Sequence, residues 1–316
     1  MKIVVLDAAT LGTDTDLTPL MQQGTVTVWQ NTAPEEIAER IADTEVIVSN
    51  KVRLMEPVLR HAKNLKLICL SATGYDCVDT AYCASHGIGV CNVPGYSTQS
   101  VAQLTVALVL ELTNHLGQYR EYVHSGAYSR SGVANALTPV WHELYGKTWG
   151  IVGGGNIGRQ VARIAEAFGC RVLVCRRKPD AEYETTDLDT LCRESDIISI
   201  HVPLTDETRG MIGEKQIGLM KKTAIVINVA RGAVTDEAAL AEAAKTGRIA
   251  GLGVDVYSQE PFGENHPFSG ILSLPNVCLT PHTAWGALET RNRCVAMVAE
   301  NISAFCRGQR KNRVEQ

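Results

Sequence analysis

Three residues in the C-terminal half of the chain have the types that reduction of a ketone asks of a protein, and each follows a strand-like run. Arg231 comes after the run 224–228 in N-V-A-R-G, Glu260 stands in the loop after 250–254, and His282 follows 276–279 in L-T-P-H-T-A-W. An arginine can grip a carboxylate through two parallel hydrogen bonds, with an orientation that a lysine does not impose. A histidine, with a reference pKa of about 6.5, can pass a proton to a developing alkoxide near neutral pH. A carboxylate beside it favours the imidazolium and fixes its tautomer. Singly, each has a structural reading: Arg231 as a helix cap, Glu260 as a solvated charge, His282 as a satisfied buried histidine. Their joint placement on one rim, with Asp255 at the end of 250–254, favours chemistry, because ligands of open α/β sheets lie outside the carboxyl ends of strands.

The element that must position them runs from Lys147 to Gly169, K-T-W-G-I-V-G-G-G-N-I-G-R-Q-V-A-R-I-A-E-A-F-G. An apolar run empties into Gly153, Gly155 and Gly158, and Ile157, Val161, Ala162, Ile164 and Ala165 then recur at helical spacing. A strand, tight turn and helix in this pattern bind a dinucleotide. The first glycine allows the turn, the second admits a pyrophosphate to the backbone, and the third lets helix and strand pack closely. The free N–H groups and positive end of the helix face the phosphates.

The chain has 316 residues, enough for about two domains. Its formal charge of −4 and pI near 6.1 argue against a nucleic-acid partner. No apolar stretch approaches the roughly 18 residues of a membrane helix, and the first ten residues read as a strand rather than a signal peptide. The expected location is the cytoplasm, with the ten cysteines reduced and no metal site. Short apolar runs at 3–6, 26–29, 46–49, 67–70 and 89–92 alternate with helical or turn-rich stretches, which predicts a parallel sheet covered on both faces. A long apolar helix follows from Ser97 through Tyr122, expected to be buried between lobes or subunits. Residues 126–142 have no clear period and read as an excursion. Runs at 147–152, 171–175, 196–200, 224–228, 250–254 and 276–279 then supply the six strands of a dinucleotide-binding sheet. The segment 284–307 reads as a terminal helix free to pack on the first lobe, and the polar tail 308–316 as frayed. His61, His86, His115 and His124 fall in helical or turn contexts without a role, whereas His201 follows a strand in H-V-P-L-T and reads as a wall of the cofactor site.

The chain resembles the D-isomer-specific 2-hydroxyacid dehydrogenases along almost its whole length. The matching stretches are S-A-T-G-Y-D-C-V-D (71–79), N-V-P-G-Y-S-T-Q-S-V-A (92–102), G-I-V-G-G-G-N-I-G-R (150–159), H-V-P-L-T-D-E-T-R-G-M-I (201–212), I-N-V-A-R-G-A-V-T-D-E-A-A-L (227–240), G-V-D-V-Y-S-Q-E-P (253–261) and T-P-H-T-A-W (280–285). The resemblance implies an α/β fold of two doubly wound parallel-sheet lobes. One is a Rossmann dinucleotide-binding domain over 97–285, the other a flavodoxin-like substrate (catalytic) domain over 1–96 plus 286–316. It implies Arg231, Glu260 and His282 as the catalytic trio. Substrate contacts would come from Ala72, Thr73, Gly74, Arg231, His282 and Trp285. Cofactor contacts would come from Gly153, Gly155, Asn156, Ile157, Gly158, Arg176, Arg177, His201, Val202, Pro203, Thr208, Val229, Ala230, Asp255, Thr283 and Ala284. It also implies a homodimer. S-A-T-G-Y-D and H-T-A-W resemble the glycerate dehydrogenase or hydroxypyruvate (glyoxylate) reductase branch, while Ala233, Val234 and Thr235 depart from the usual G-L-V after the arginine. D-lactate-type reduction, or a non-catalytic NAD(H)-sensing protein on the same fold, are the alternatives.

For the cofactor, an NAD enzyme places an acid about 20 residues past the glycine-rich turn for the ribose hydroxyls. Here the strand 171–175 ends in R-V-L-V-C-R-R-K-P, with Arg176 at that place and Arg177 beside it. Guanidinium groups can pair with a 2′-phosphate and small Cys175 leaves room, so the expectation is NADP or NAD with NADPH preferred. Two solvated arginines and no strong preference are the alternative.

Overall fold

The structure is a computed structural model that describes residues 1–179 and 181–315. It divides into two compact units, Met1–Ser97 with Trp285–Gln316, and Thr98–Ala284. Among the described residues each unit holds one sheet, and every strand pairing is parallel.

In the first unit, β1 (Lys2–Val5), β2 (Thr25–Val28), β3 (Val46–Ser49), β4 (Leu67–Leu70) and β5 (Gly89–Cys91) lie in the order β2-β1-β3-β4-β5. This is the flavodoxin-like order, with the chain reversing direction across the sheet at β1 and β3. V-I-V-S and L-I-C-L are buried throughout, as strands covered on both faces must be. One face packs on Cys294, Val295, Val298 and Ile302 of the helix Leu288–Cys306, the other on Ile37, Ile41 and Leu59.

The tail is not frayed. Arg313 bridges antiparallel to Cys91, Val314 N–H donates to Val90 O at 2.9 Å, and Asn92 N–H donates to Asn312 O at 3.1 Å. Glu315, 6% exposed, accepts Val90 N–H at 2.8 Å and pairs with Arg313. Burial alone would push its carboxyl up, but Arg313 and the Val90 N–H outweigh that and hold it below the usual range. The reason the polar composition misleads is that β5 is an edge strand whose free backbone groups need a cover, and the tail supplies one. Gln316 lies outside the described residues.

In the second unit, β6 (Thr148–Val152), β7 (Arg171–Cys175), β8 (Glu184–Thr185), β9 (Ile197–Ile200), β10 (Ile225–Asn228), β11 (Gly251–Val254) and β12 (Val277–Leu279) run in the order β12-β11-β10-β9-β6-β7-β8. That is the Rossmann arrangement with the switch point between β6 and β9. The sequence runs give six of these strands. The additional one, β8, is two polar residues paired to Leu173 and Val174, too short to leave a hydrophobic pattern.

The helix Thr98–Asn114 packs on β10, β11, β12 and the helix Asn156–Ala167, burying Val101, Ala102, Thr105, Leu108, Val109 and Leu112. It therefore belongs to the core of this unit. It stops sooner than its apolar pattern predicts: His115 adopts a left-handed φ of 54°, and a separate helix, Leu116–His124, follows. After the short helix Ala127–Ser131, the excursion leaves Val133, Leu137, Val140, Trp141 and Tyr145 exposed. All ten cysteines are free.

Candidate active site

Strand β6 delivers the chain into the glycine-rich turn at the sheet's switch point. Gly153 has φ +104°, and a Cβ there would sit 2.7 Å from the carbonyl oxygen of His201, so only glycine fits. A Cβ on Gly158 would fall 2.0 Å from Gly153 O, which is the close helix–strand approach expected of the third glycine. At Gly155, the N-cap of the helix Asn156–Ala167, a Cβ would meet nothing within 4 Å. The space is open on the side where Asn156, Ile157 and Gly158 begin the helix, and first-turn N–H groups have no acceptor within a helix. An opening of this kind at a helix N-terminus has the geometry to take an anion such as a pyrophosphate.

His201, at the end of β9, forms the wall behind that turn. Its Nε2 is 3.0 Å from Ser199 Oγ, which accepts the Trp149 indole N–H at 2.9 Å. Its Nδ1 is buried and has no partner among the described residues. Burial pushes the imidazole down to about 3, so the ring is neutral. Val202 adds to this wall, its Cγ1 2.9 Å from where a Gly153 Cβ would be, and Pro203 follows it in the chain. Thr208 turns inward: its hydroxyl donates to Pro203 O at 2.6 Å and accepts Thr205 N–H at 2.8 Å, so it shapes the 203–208 loop. The Arg176 side chain lies across the turn, its Cδ 3.0 Å from where a Gly154 Cβ would be. Arg177 is engaged elsewhere, paired with Glu207 at 2.7 Å.

The loops after β10, β11 and β12 carry Arg231, Glu260 and His282 in turn. After β10, Val229 and Ala230 are buried. Asn228, a residue the sequence reading passed over, receives Ala230 N–H on Oδ1 (3.0 Å) and donates from Nδ2 to Arg231 O (3.0 Å). This fixes the Arg231 backbone, and one guanidinium nitrogen is tied to Ala230 O at 2.7 Å. After β11, Glu260 receives Tyr257 N–H on Oε1 at 3.0 Å, and its Oε2 lies 2.6 Å from His282 Nδ1. The pair is 21% and 29% exposed at His282 and Glu260 respectively, enclosed but reachable. His282 itself has a left-handed φ of 53°.

Asp255, fully buried, uses its acceptors on the loop that carries His282: Thr280 Oγ1 at 2.6 Å, Thr283 N at 2.8 Å and Ala284 N at 2.9 Å. Burial raises its carboxyl above the usual range, against those hydrogen bonds and the His282 charge. Thr280 is a second residue without a sequence signal, since nothing local distinguishes its hydroxyl.

In the first unit, hydrogen bonds to and from Asn92 and Val93 hold Ala72 and Thr73 of the 72–74 loop. Val93 N–H donates to Ala72 O (2.9 Å), Asn92 Nδ2 to Thr73 O (2.7 Å), and the Thr73 hydroxyl to Val93 O (2.9 Å). Trp285 packs edge-on to Tyr96, centroids 6.3 Å apart, against the core of that unit.

A dinucleotide cradle and an Arg, Glu and His set occur on one sheet rim, and residues 106–284 match the family model for the NAD-binding domain of D-isomer specific 2-hydroxyacid dehydrogenases. The chain belongs to that family. It is 40% identical over 295 residues to a glyoxylate reductase of Korarchaeum cryptofilum, covering 89% of this chain and 86% of that one. It is 35% identical over 329 residues to a hydroxypyruvate reductase of Blautia hydrogenotrophica, covering both chains completely. An acyclic imino acid reductase solved with NADPH and D-Arg is similar at a TM-score of 0.86 and 29% identity, over 99% of this chain and all of that one. As a D-2-hydroxyacid dehydrogenase, the protein is an oxidoreductase with a nicotinamide dinucleotide domain.

Proposed function

We propose that the protein reduces a small 2-oxo acid, glyoxylate or hydroxypyruvate, to the D-2-hydroxy acid, with Arg231, Glu260 and His282 at the reacting centre. The observation that carries this is the 2.6 Å contact between His282 Nδ1 and Glu260 Oε2, on the same rim as the glycine-rich turn. Bound NADPH or NADH supplies the hydride. Arg231 holds the substrate carboxylate with the guanidinium N–H groups not tied to Ala230. Protonated His282 donates from Nδ1 to Glu260 and passes the proton on Nε2 to the developing alkoxide. Glu260 holds the ring in that orientation throughout, so Nε2 is the exchanging atom in both directions.

For the cofactor, Arg176 lying across the glycine-rich turn supports NADPH, with Arg177 contributing less because Glu207 neutralises it. The exposed apolar side chains of 133–145 support a homodimer. The test is a panel of 2-oxo acids, glyoxylate, hydroxypyruvate and pyruvate among them, assayed by oxidation of NADH and of NADPH. Turnover of glyoxylate or hydroxypyruvate with the higher kcat/KM is expected. No turnover of any 2-oxo acid with either cofactor would overturn the reading.

A further inference from the structure

The loop that carries Glu260 is fixed from beneath by a buried cluster outside the trio. Glu237 opens the helix Glu237–Lys245 and is 8% exposed. A carboxylate at that depth must be hydrogen-bonded. Ser258 N–H donates to Oε1 at 2.8 Å, the Ser258 hydroxyl donates to Oε2, and His266 Nε2 lies 3.1 Å from Oε2. His266 Nδ1 accepts Phe268 N–H at 3.2 Å, which leaves the ring proton on Nε2 and makes the ring a donor to Glu237. Phe262 and Phe268 enclose that ring at centroid distances of 4.8 and 5.2 Å, with Tyr257 edge-on at 6.0 Å.

Glu237 is not needed to start its helix. Asp236 is the N-cap and already accepts Ala239 N–H at 3.0 Å, so the Glu237 carboxylate is directed wholly at the loop after β11. That loop also lies against the Arg231 segment: a Cβ on Gly232 would be 2.1 Å from Ser258 N and Tyr257 C, so the two backbones touch there. The residues gripped are those that set Glu260. Tyr257 N–H holds its Oε1, and Ser258 is two positions before it in the chain.

We propose that Glu237, locked by His266, is a positioning residue for proton transfer, holding the 257–260 turn where Glu260 meets His282. This rests on the reading of Glu260 and His282 as the proton-transfer pair. A Gln at 237 would turn an amide N–H₂ toward donors on Ser258 or His266 and release the turn. With Glu260 displaced, the imidazolium loses the carboxylate that favours it, so reduction fails at a lower pH.

The experiment compares Glu237→Gln, Ser258→Ala and Glu260→Gln with wild type in the pH profile of kcat for 2-oxo acid reduction, in dinucleotide Kd and in thermal midpoint. For Glu237→Gln, kcat should fall about tenfold, as for a lost charged hydrogen bond. Its alkaline limb should move to lower pH in the direction of Glu260→Gln but by less, with Kd within about twofold of wild type. Ser258→Ala, which keeps the backbone donor, should show the same displacement in smaller degree, and it decides the matter if Glu237→Gln does not fold. A lowered thermal midpoint or kcat with the alkaline limb at its wild-type position would make the cluster scaffold only and overturn the proposal. If Glu260→Gln itself leaves the limb in place, the reading of the trio fails instead.

Discussion

His201 offers a test of burial behind the glycine-rich turn that needs no substrate. The unfolded chain takes up a proton at an imidazole near the reference value of about 6.5, whereas burial holds the folded ring down to about 3. The unfolded state therefore binds more protons everywhere between those values. Stability from this group is complete above about pH 6.5 and is lost progressively as pH falls toward 3. Integrating from pH 8 to pH 5 gives a loss of about 2 kcal/mol from this single ring. His201→Asn removes it. Urea unfolding of both proteins at pH 8, 6.5 and 5 yields the difference in slope, in which any constant cost of the substitution and the titration of all other groups cancel. The wild type should lose about 2 kcal/mol more than the variant on going to pH 5. Parallel stability curves for the two proteins would mean that the ring is solvated in the folded state, and the reasoning would fail.

His282→Ala should lower kcat by the roughly 10²–10⁴-fold of general acid catalysis while dinucleotide Kd stays at its wild-type value. Reduction in the wild type should weaken as pH rises and the imidazolium is lost, and oxidation should weaken as pH falls; stopped-flow turnover over pH 5–10 checks both. Arg231→Lys keeps the charge and loses the fork, so kcat/KM for the oxo acid should drop by the equivalent of about 1.5–3 kcal/mol or more. Cofactor titration showing an equal loss of dinucleotide affinity would instead make Arg231 structural. Arg176→Asp should reduce or reverse the preference for NADPH; a wild type that favours NADH by about tenfold or more in kcat/KM would remove the arginine from that role.

Strands were legible where the sheet is buried on both faces, because such strands must be continuous β-branched and apolar runs, as at I-V-I-N of β10. Arg231, Glu260 and His282 stood out as candidates because loops after strands at the carboxyl rim of an open α/β sheet border the ligand crevice, and the structure brings Glu260 and His282 to 2.6 Å. What escaped depended on partners distant in sequence. Glu184–Thr185 is a strand only because Leu173 and Val174 offer it an edge. The tail is ordered because β5 needs a cover. Glu237 has the local pattern of an ordinary acidic helix start, and only the loop more than twenty residues later shows what its carboxylate holds.

Asp255 ties its place on the rim to the backbone of the loop that carries His282. Its position at the end of β11 is that of a residue facing ligand, yet all its recorded hydrogen bonds run to Thr280, Thr283 and Ala284, on either side of His282. The reason lies in the backbone between them. A histidine at φ 53° sits in a region that costs a residue with a Cβ on the order of 1 kcal/mol or more, and such a conformation persists only where its surroundings over-determine it. Three hydrogen bonds to one buried carboxylate, joined by the His282 N–H donating to Thr280 O at 3.0 Å, do so. The turn at His282 aims Nδ1 at Glu260, the orientation on which the proposed proton transfer through Nε2 depends. Removing the carboxylate's charge would therefore disturb His282 through its backbone, and with it the 2.6 Å contact to Glu260.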